Sequence, residues 1–369
     1  MTAALRIFGI VLLLAACTPR ATLVVTTDTG VGKPYTIRVG STRELDPADK
    51  NQLYTLRGPL SFQAFDVSVP PNREPGTVEY FTRGEPDPNT QFLATGARTF
   101  KTEAQFRNDL AAAYRKFPKA NRGAVVFVHG YNTSVGDAVF RLTQLTNDLE
   151  IDDIPLSYTW PSRVNPLAYG YDRDSALYSR DGLEKYLTEI ADSGTRSITL
   201  LGHSMGSLIV METLRQMAIR DDRKVLPKLN GVILMSPDLD VDLFRSQAKR
   251  IGTLPQPFII FTSRRDKALL LAARLTGEPA RLGNIPDVSP LSDLDVTVVD
   301  VTDFNGDALD HFTPANSPAL LKILGKLGSV QAALNTDASN KTGLLPGTVL
   351  TVQNATSIIL SPVTALAGN

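Results

Sequence analysis

From residue 123 onward the chain alternates short apolar runs with amphipathic stretches, six times in succession. GAVVFV (123–128) leads to SVGDAVFRLTQLTNDLE (134–150), IPLSYTW (154–160) to RDSALYSRDGLEKYLTEIAD (173–192), and SITLLG (197–202) to MGSLIVMETLRQMAIR (205–220). GVILMS (231–236) leads to VDLFRSQAKR (241–250), PFIIFTS (257–263) to KALLLAARL (267–275), and DVTVVDV (295–301) to PALLKILGKL (318–327). A continuous apolar run is a strand buried on both faces, and parallel strands of that kind need a crossover helix between them. The pattern predicts an α/β fold, a mostly parallel central sheet with helices on both faces.

The segments before and after this core are different. YTIRVGST (35–42) and SFQAFDVSV (61–69) carry strand patterns, the second broken by Pro70-Pro71, and are expected to extend the sheet at one edge. Residues 83–98 are a polar loop rich in Gly, Pro and Asn, expected either to leave the site open or to cover it. TEAQFRNDLAAAYRKF (102–117) has helical periodicity with Thr102 as N-cap, and Ser134 with Asp137 three residues on opens the next helix. Residues 329–369, poor in charge and rich in Thr, Ser, Asn, Ala and Gly, are expected to be a weakly structured tail. The chain therefore divides into 1–16, 17–122, a core at 123–328, and the tail.

Residues 1–16 are an address rather than part of the fold. Arg6 precedes an apolar run to Ala16 that is too short for a bilayer span, which takes about 20 residues, and has the length of a secretory signal. It ends Leu14-Ala15-Ala16-Cys17, which resembles the bacterial lipobox. The resemblance implies cleavage before Cys17 and acylation of the new N-terminus, hence anchoring in a membrane of the bacterial envelope. Thr18, rather than Asp, favours the outer membrane facing the periplasm in a Gram-negative host. Cys17 is the single cysteine, so an internal disulfide and a Cys-based zinc site are excluded. Thirty-eight basic residues balance 38 acidic ones, which argues against a nucleic-acid partner.

Gly202-His203-Ser204-Met205-Gly206 lies between a predicted strand and a predicted helix. A strand-to-helix turn this tight needs small residues at both ends and holds the Ser strained, in front of the sheet, at a helix N-terminus. A serine hydroxyl needs a base, and there are three histidines. His203 sits inside the turn and is directed away from its front. His129 follows the first core strand and is expected to brace the loop there. His311 lies after the last strand, and the chain order Ser, acid, His selects it. The acid is Asp266, with Asp238 or Asp240 one strand earlier as the alternative; Asp266 and Asp238 are each alternatively a helix N-cap, for KALLLAARL and VDLFRSQAKR. The oxyanion donors are expected to be the N–H of Met205 and that of Tyr131, with Asn132 second.

Together these residues resemble the α/β-hydrolase superfamily. They are more closely similar to a bacterial branch of α/β hydrolases of unknown function, through VFVHGYNTSVGDAVFRLTQL (126–145), WPS (160–162), YDRDSALYSRDGLE (171–184), GHSMG (202–206), SPDLDVDLF (236–244), SRRDKAL (263–269), RLG (281–283) and VSVPPNREPG (67–76). The resemblance supports the triad Ser204, Asp266 and His311 and adds nothing about substrate. The leading expectation from the residues is a lipid-anchored serine hydrolase acting through an acyl-enzyme on a small-molecule ester or lipid, with no cofactor or metal. Peptidase or acyltransferase chemistry in the same site, and a non-catalytic scaffold, are the other readings. Asp303-Phe304-Asn305-Gly306-Asp307 hints at a calcium loop, but its Gly is misplaced and no Glu closes it. Tyr169, Tyr171 and Tyr178 stand beside the site, as an acyl pocket or as core.

Overall fold

The computed structural model describes residues 20–26, 31–47, 54–82, 84–278, 280–304, 309–318 and 320–321, and the backbone of two strands at 350–352 and 355–359. Residues 1–16 and Cys17 lie outside this set, as do Asn305, Gly306 and Asp307 of the calcium-like loop.

Three strands, β1 (Lys33–Glu44), β2 (Leu56–Val69) and β3 (Leu93–Phe100), precede helix α1 (Glu103–Tyr114). The alternating core follows as β4 (Gly123–Val128), α2 (Val135–Asp148), β5 (Ile154–Thr159), α3 (Tyr169–Asp192), β6 (Ser197–His203) and α4 (Met205–Ile219). It continues as β7 (Leu229–Met235), α5 (Val241–Ile251), β8 (Phe258–Thr262), α6 (Lys267–Thr276), β9 (Val296–Asp300) and the short α7 (Thr313–Asn316). The strands β10 (Leu350–Val352) and β11 (Ala355–Ile359) come last.

All of these strands join one sheet in the order β10-β11-β9-β8-β7-β6-β4-β5-β1-β2-β3. From β11 across to β1 every neighbouring pair is parallel; β2, β3 and β10 are antiparallel additions at the two edges. Side chains alternate between faces along each strand. On β4, Ala124, Val126 and Val128 join the apolar layer under α1, α3, α4 and α5, while Val125 and Phe127 join the layer under α2. Two buried layers explain why the core strands read as unbroken apolar runs.

The helix starts obey their caps. Thr102 Oγ1 accepts the N–H of Gln105 at 3.2 Å. Ser134 and Asp137 form a reciprocal capping box, with bonds of 3.0 and 2.9 Å.

Two segments depart from the sequence expectation. The polar loop expected at 83–98 gives way at Leu93 to β3, which pairs with β2, meets Val25 at Ala94 in a single bridge, and is largely solvent-facing past Ala94. An edge strand with one covered face needs no continuous apolar run, so its polar text resembles a loop. Within the tail expected to be weakly structured, β11 pairs in parallel with β9 and β10 folds back on it. The β-branched residues of LTV and ATSII suit a strand locally, although the composition of the whole tail conceals them. The rest of the tail lies outside the described residues.

Gly40 marks where α3 rests on β1. A Cβ there would come within 2.5–2.7 Å of three ring atoms of Tyr186. That ring is fully buried, and its hydroxyl donates to the Arg38 carbonyl at 3.1 Å, so it cannot back away. Gly40→Ala is therefore expected to lower the unfolding free energy by about 1–3 kcal/mol, read by urea denaturation. Unchanged stability would contradict this packing.

Candidate active site

The chain passes from β4 to β5 on one side and from β6 to β7 on the other, so β4 and β6 are neighbours whose connections leave in opposite directions. Open α/β sheets form crevices at such a point, at the carboxyl ends of the strands. The loop at Gly130–Thr133 and the turn at Ser204 flank it.

Ser204 has φ +50° and ψ −124°, a conformation costly for a residue with a Cβ. It is held there by its backbone. Its N–H donates to the Met235 carbonyl at the end of β7 (3.0 Å), and its carbonyl accepts the N–H of Ser207 (3.0 Å). Its side chain makes no cap bond to α4, which leaves the hydroxyl for other use. The flanking glycines are required. A Cβ at Gly202 would lie 3.0 Å from Ser207 Cα, and one at Gly206 would collide with the carbonyl oxygens of Val128 and His129. Gly130 packs against the turn from the other side, where a Cβ would come within 2.8 Å of Ser204 Cβ.

His311 precedes α7. Its Nδ1 lies 2.7 Å from Asp266 Oδ2. Asp266 is fully buried, and its other oxygen, Oδ1, caps α6 by accepting the N–H of Leu269 at 2.9 Å. The cap and the histidine partner, posed as alternatives from the sequence, are both present on one carboxylate. The Lys267 N–H donates to the Leu309 carbonyl at 2.9 Å, which ties the start of α6 to the His311 loop.

Asp238 is placed elsewhere. It forms a buried ion pair with Arg281 Nε at 2.8 Å and accepts the Tyr169 hydroxyl, at 2.9 Å on its nearer oxygen. The cap of α5, which the sequence offered to Asp238, is instead Asp240, the residue directly before the helix, which accepts the N–H of Leu243 at 2.7 Å.

The other two histidines are spent inside the protein. His203 Nε2 donates over 3.4 Å to the His311 carbonyl, and its ring lies 3.9 Å from Phe312 and 4.8 Å from His311, centroid to centroid. Burial, then the neighbouring His311, pushes its pKa well below the ordinary value. His129 stacks on Trp160 at 5.1 Å. Its Nδ1–H donates to the Gly130 carbonyl at 2.8 Å; its Nε2 accepts the Trp160 N–H at 3.1 Å and a guanidinium N–H of Arg43 at 3.0 Å. Burial, then the Arg43 charge, lowers its pKa well below the ordinary value.

Of the two residues expected to supply oxyanion donors, Tyr131 follows Gly130, which packs on Ser204, and Met205 follows Ser204 itself. Met205 opens α4, where a first-turn N–H has no partner within the helix. Among the described residues neither its N–H nor that of Tyr131 donates to a protein acceptor. The N–H of Asn132, the second choice, is directed instead to the Asp172 carboxylate. The Tyr131 ring meets that of Tyr169 edge-on at 5.6 Å. Tyr171 and Tyr178 lie away from this contact: Tyr171 stacks under Arg163 and Arg57, and the Tyr178 hydroxyl donates to the Gly58 carbonyl.

His129 braces the Gly130–Thr133 loop as expected, but sequence reasoning passed over Arg43, Ser162 and Asp172, which support it from beneath. Arg43, at the end of β1, is buried and donates to the carbonyls of Thr133 (2.6 Å) and Ser162 (3.2 Å). Desolvation lowers its pKa to about 9, against the attraction of Asp172 and Asp137. Asp172 accepts the Ser162 hydroxyl at 2.5 Å and the Arg163 N–H at 2.7 Å, and burial raises its pKa. The WPS and YDRD segments contain Ser162 and Asp172, but nothing in the text around Arg43 distinguishes it from a solvent-facing strand arginine. Among the described residues no cluster of His, Cys, Asp and Glu is placed to hold a metal ion, and no helix is long and apolar enough to cross a membrane.

Residues 102–327 match the family described as alpha/beta hydrolase of unknown function. No curated protein matches the chain in sequence. Among solved structures, the chain is similar to a lipase-esterase related protein from Clostridium acetobutylicum at 16% identity, covering 61% of this chain and 96% of that one, with a TM-score of 0.24. A putative hydrolase from Agrobacterium vitis is 11% identical over 81% of this chain and 98% of its own, with a TM-score of 0.32. One of two fungal esterases from Rhizomucor miehei is 11% identical over 94% and 77%, with a TM-score of 0.26.

The depressed pKa values of His129 and His203 have a thermodynamic consequence. The unfolded chain takes up both protons below pH about 6.5, the folded chain only at lower pH, so stability is full above that value and falls as the solution is acidified. Each residue contributes up to about 1.4 kcal/mol per pH unit to that slope. Unfolding free energies at pH 7.5, 6.5 and 5.5 are expected to fall less steeply at the acid end for His203→Gln than for the wild type. An unchanged slope would mean that His203 is not held neutral.

Proposed function

The chain belongs to this family of α/β hydrolases of unknown function, and from that premise we propose that it is a serine hydrolase of the cell envelope acting on carboxylic esters. The observations that support it most are the His311–Asp266 contact of 2.7 Å, made by a buried carboxylate, and the His311 ring 4.8 Å from that of His203, the neighbour of a serine held at φ +50° in a strand-to-helix turn. With Nδ1 of His311 bonded to Asp266, the role of base is assigned to its Nε2.

Ser204 Oγ attacks the ester carbonyl while His311 takes its proton, and the carbonyl oxygen gains negative charge. The N–H groups of Tyr131 and Met205, with the positive end of α4, stabilise that oxyanion. The imidazolium, steadied by Asp266, returns the proton to the departing alcohol. Water then enters and attacks the acyl carbon while losing a proton to His311, and His311 returns that proton to Ser204 Oγ as the C–O bond breaks and the acid leaves.

The first test is covalent. A fluorophosphonate probe is expected to label the wild type and not Ser204→Ala, which loses ester turnover by about 10⁴-fold or more. Asp266→Asn is expected to lose about 10⁴-fold in turnover. Asp238→Asn breaks a buried ion pair and is expected to lower the thermal midpoint, with turnover per folded molecule largely kept. The reverse ranking would move the acid one strand earlier, and equal labelling of Ser204→Ala would remove the enzyme reading.

The anchoring belongs to the same proposal. Its support is the Leu14-Ala15-Ala16-Cys17 text at the end of a short apolar run. Wild-type protein is expected in the membrane fraction with an acylated, processed N-terminus, and Cys17→Ser is expected to be unprocessed or released. A soluble wild type with a free Cys17 thiol would refute anchoring and leave the hydrolase reading untouched.

A further inference from the structure

Arg43 comes from β1, outside residues 102–327 that carry the family match, and reaches a loop about 90 residues away in sequence. In the segment Gly130–Thr133, three carbonyls are tied to groups of the protein. Gly130 O accepts from His129 Nδ1 (2.8 Å), Tyr131 O from Thr133 Oγ1 (3.1 Å), and Thr133 O from Arg43 (2.6 Å).

The first of these sets the direction of a catalytic donor. In a trans peptide the C=O and the N–H point opposite ways. The carbonyl of Gly130 and the N–H of Tyr131 belong to one peptide. With the carbonyl bonded to the His129 ring, the Tyr131 N–H is turned away from that ring. This holds only while His129 carries its proton on Nδ1. Its Nε2 faces two donors, the Trp160 N–H and the Arg43 guanidinium, so a proton there would set N–H against N–H.

We propose that Arg43 is a positioning residue for the oxyanion site. It fixes the Nδ1–H tautomer of His129 and holds the Thr133 carbonyl, and through both it aims the N–H of Tyr131. The proposal rests on the reading of Ser204 as nucleophile. An oxyanion donor is used most strongly when charge develops in the transition state, so its misalignment lowers kcat rather than raising KM. Arg43 also lines a cleft of about 730 Å³ bounded by residues 21–24, β1, β2, β3 and the start of α2, which gives a small cation a route to its place.

The test uses the full-length protein with p-nitrophenyl acetate. Arg43→Ala is expected to lower kcat by about 10- to 100-fold with KM within about twofold. Millimolar guanidinium ion should restore part of kcat in that variant; sodium chloride at the same concentration should not, and neither salt should raise wild-type kcat. Arg43→Lys keeps the charge and serves if the alanine variant does not fold. Both bonds to His129 and Thr133 come from Nη2, and a lysine ammonium sits one bond nearer the backbone and falls short of them, so kcat should still fall by several-fold at constant KM. Wild-type kcat in a folded Arg43→Ala or Arg43→Lys would overturn the proposal. So would a loss without guanidinium rescue that parallels a lowered thermal midpoint. If the wild type is labelled by fluorophosphonate and these variants behave as wild type, the positioning role alone fails; an unlabelled wild type sinks the nucleophile reading itself.

Discussion

The close approach of the first turn of α4 to the end of β4 is the constraint on which the candidate site depends. Gly206 lies against the carbonyls of Val128 and His129, with no room for a side chain. That contact brings Ser204 beside Gly130 and places the N-terminus of α4 at the crevice between β4 and β6. The backbone conformation of Ser204 is costly, of order 1–3 kcal/mol for such a residue, and is offset by bonds from its own N–H and carbonyl to Met235 and Ser207. The strain is thus carried by main-chain hydrogen bonds, and the serine hydroxyl is spared from capping the helix.

Three histidines occupy neighbouring positions in this structure and have three different characters. His129 has its proton on Nδ1 because Gly130 offers only an acceptor on that side, while Trp160 and Arg43 offer only donors on the other. His203 has its proton on Nε2 because the carbonyl of His311 can only accept it. His311 alone faces a carboxylate. The acids divide in the same way. Asp266 serves a helix end with one oxygen and a histidine with the other, Asp238 is neutralised by Arg281, and Asp240 caps α5. Partners, rather than residue type, assign the roles.

The loop that faces Ser204 is supported by groups from three strands. Trp160 and Ser162 follow β5, His129 follows β4, and Arg43 ends β1. Burying a guanidinium is expensive unless its hydrogens are satisfied; here carbonyls and an imidazole nitrogen accept bonds from Nη1 and Nη2, while Nε is buried with no partner among the described residues. Asp172 and Asp137 lie close enough to favour its charged form, so it stays protonated at neutral pH despite a pKa lowered to about 9. The three strands at the N-terminal edge are therefore more than a cover for the family core; one of their side chains reaches under the site.

Much of this was already written in the sequence. The unbroken apolar runs between residues 123 and 301 dictate a parallel sheet with two buried faces, because a strand exposed on one side would alternate with polar residues. Gly202-His203-Ser204-Met205-Gly206 dictates a tight strand-to-helix turn, and the capping residues Thr102 and Ser134 act within three residues of themselves. These are local matters, settled by chain geometry over a few bonds. The edge strand β3 was hidden because its pairing with β2 comes from distant residues and its outward face needs no apolar pattern. Which acid meets His311 was left open between Asp266 and Asp238, since both follow neighbouring strands and both stand near helix starts. Tertiary structure decided where each carboxylate went, by bringing Arg281 and Tyr169 to Asp238 and the His311 loop to Asp266. It also carried Arg43 beneath a loop 90 residues away. A hydrogen bond is fixed by a separation of about 3 Å in space, and separation along the chain carries no trace of it.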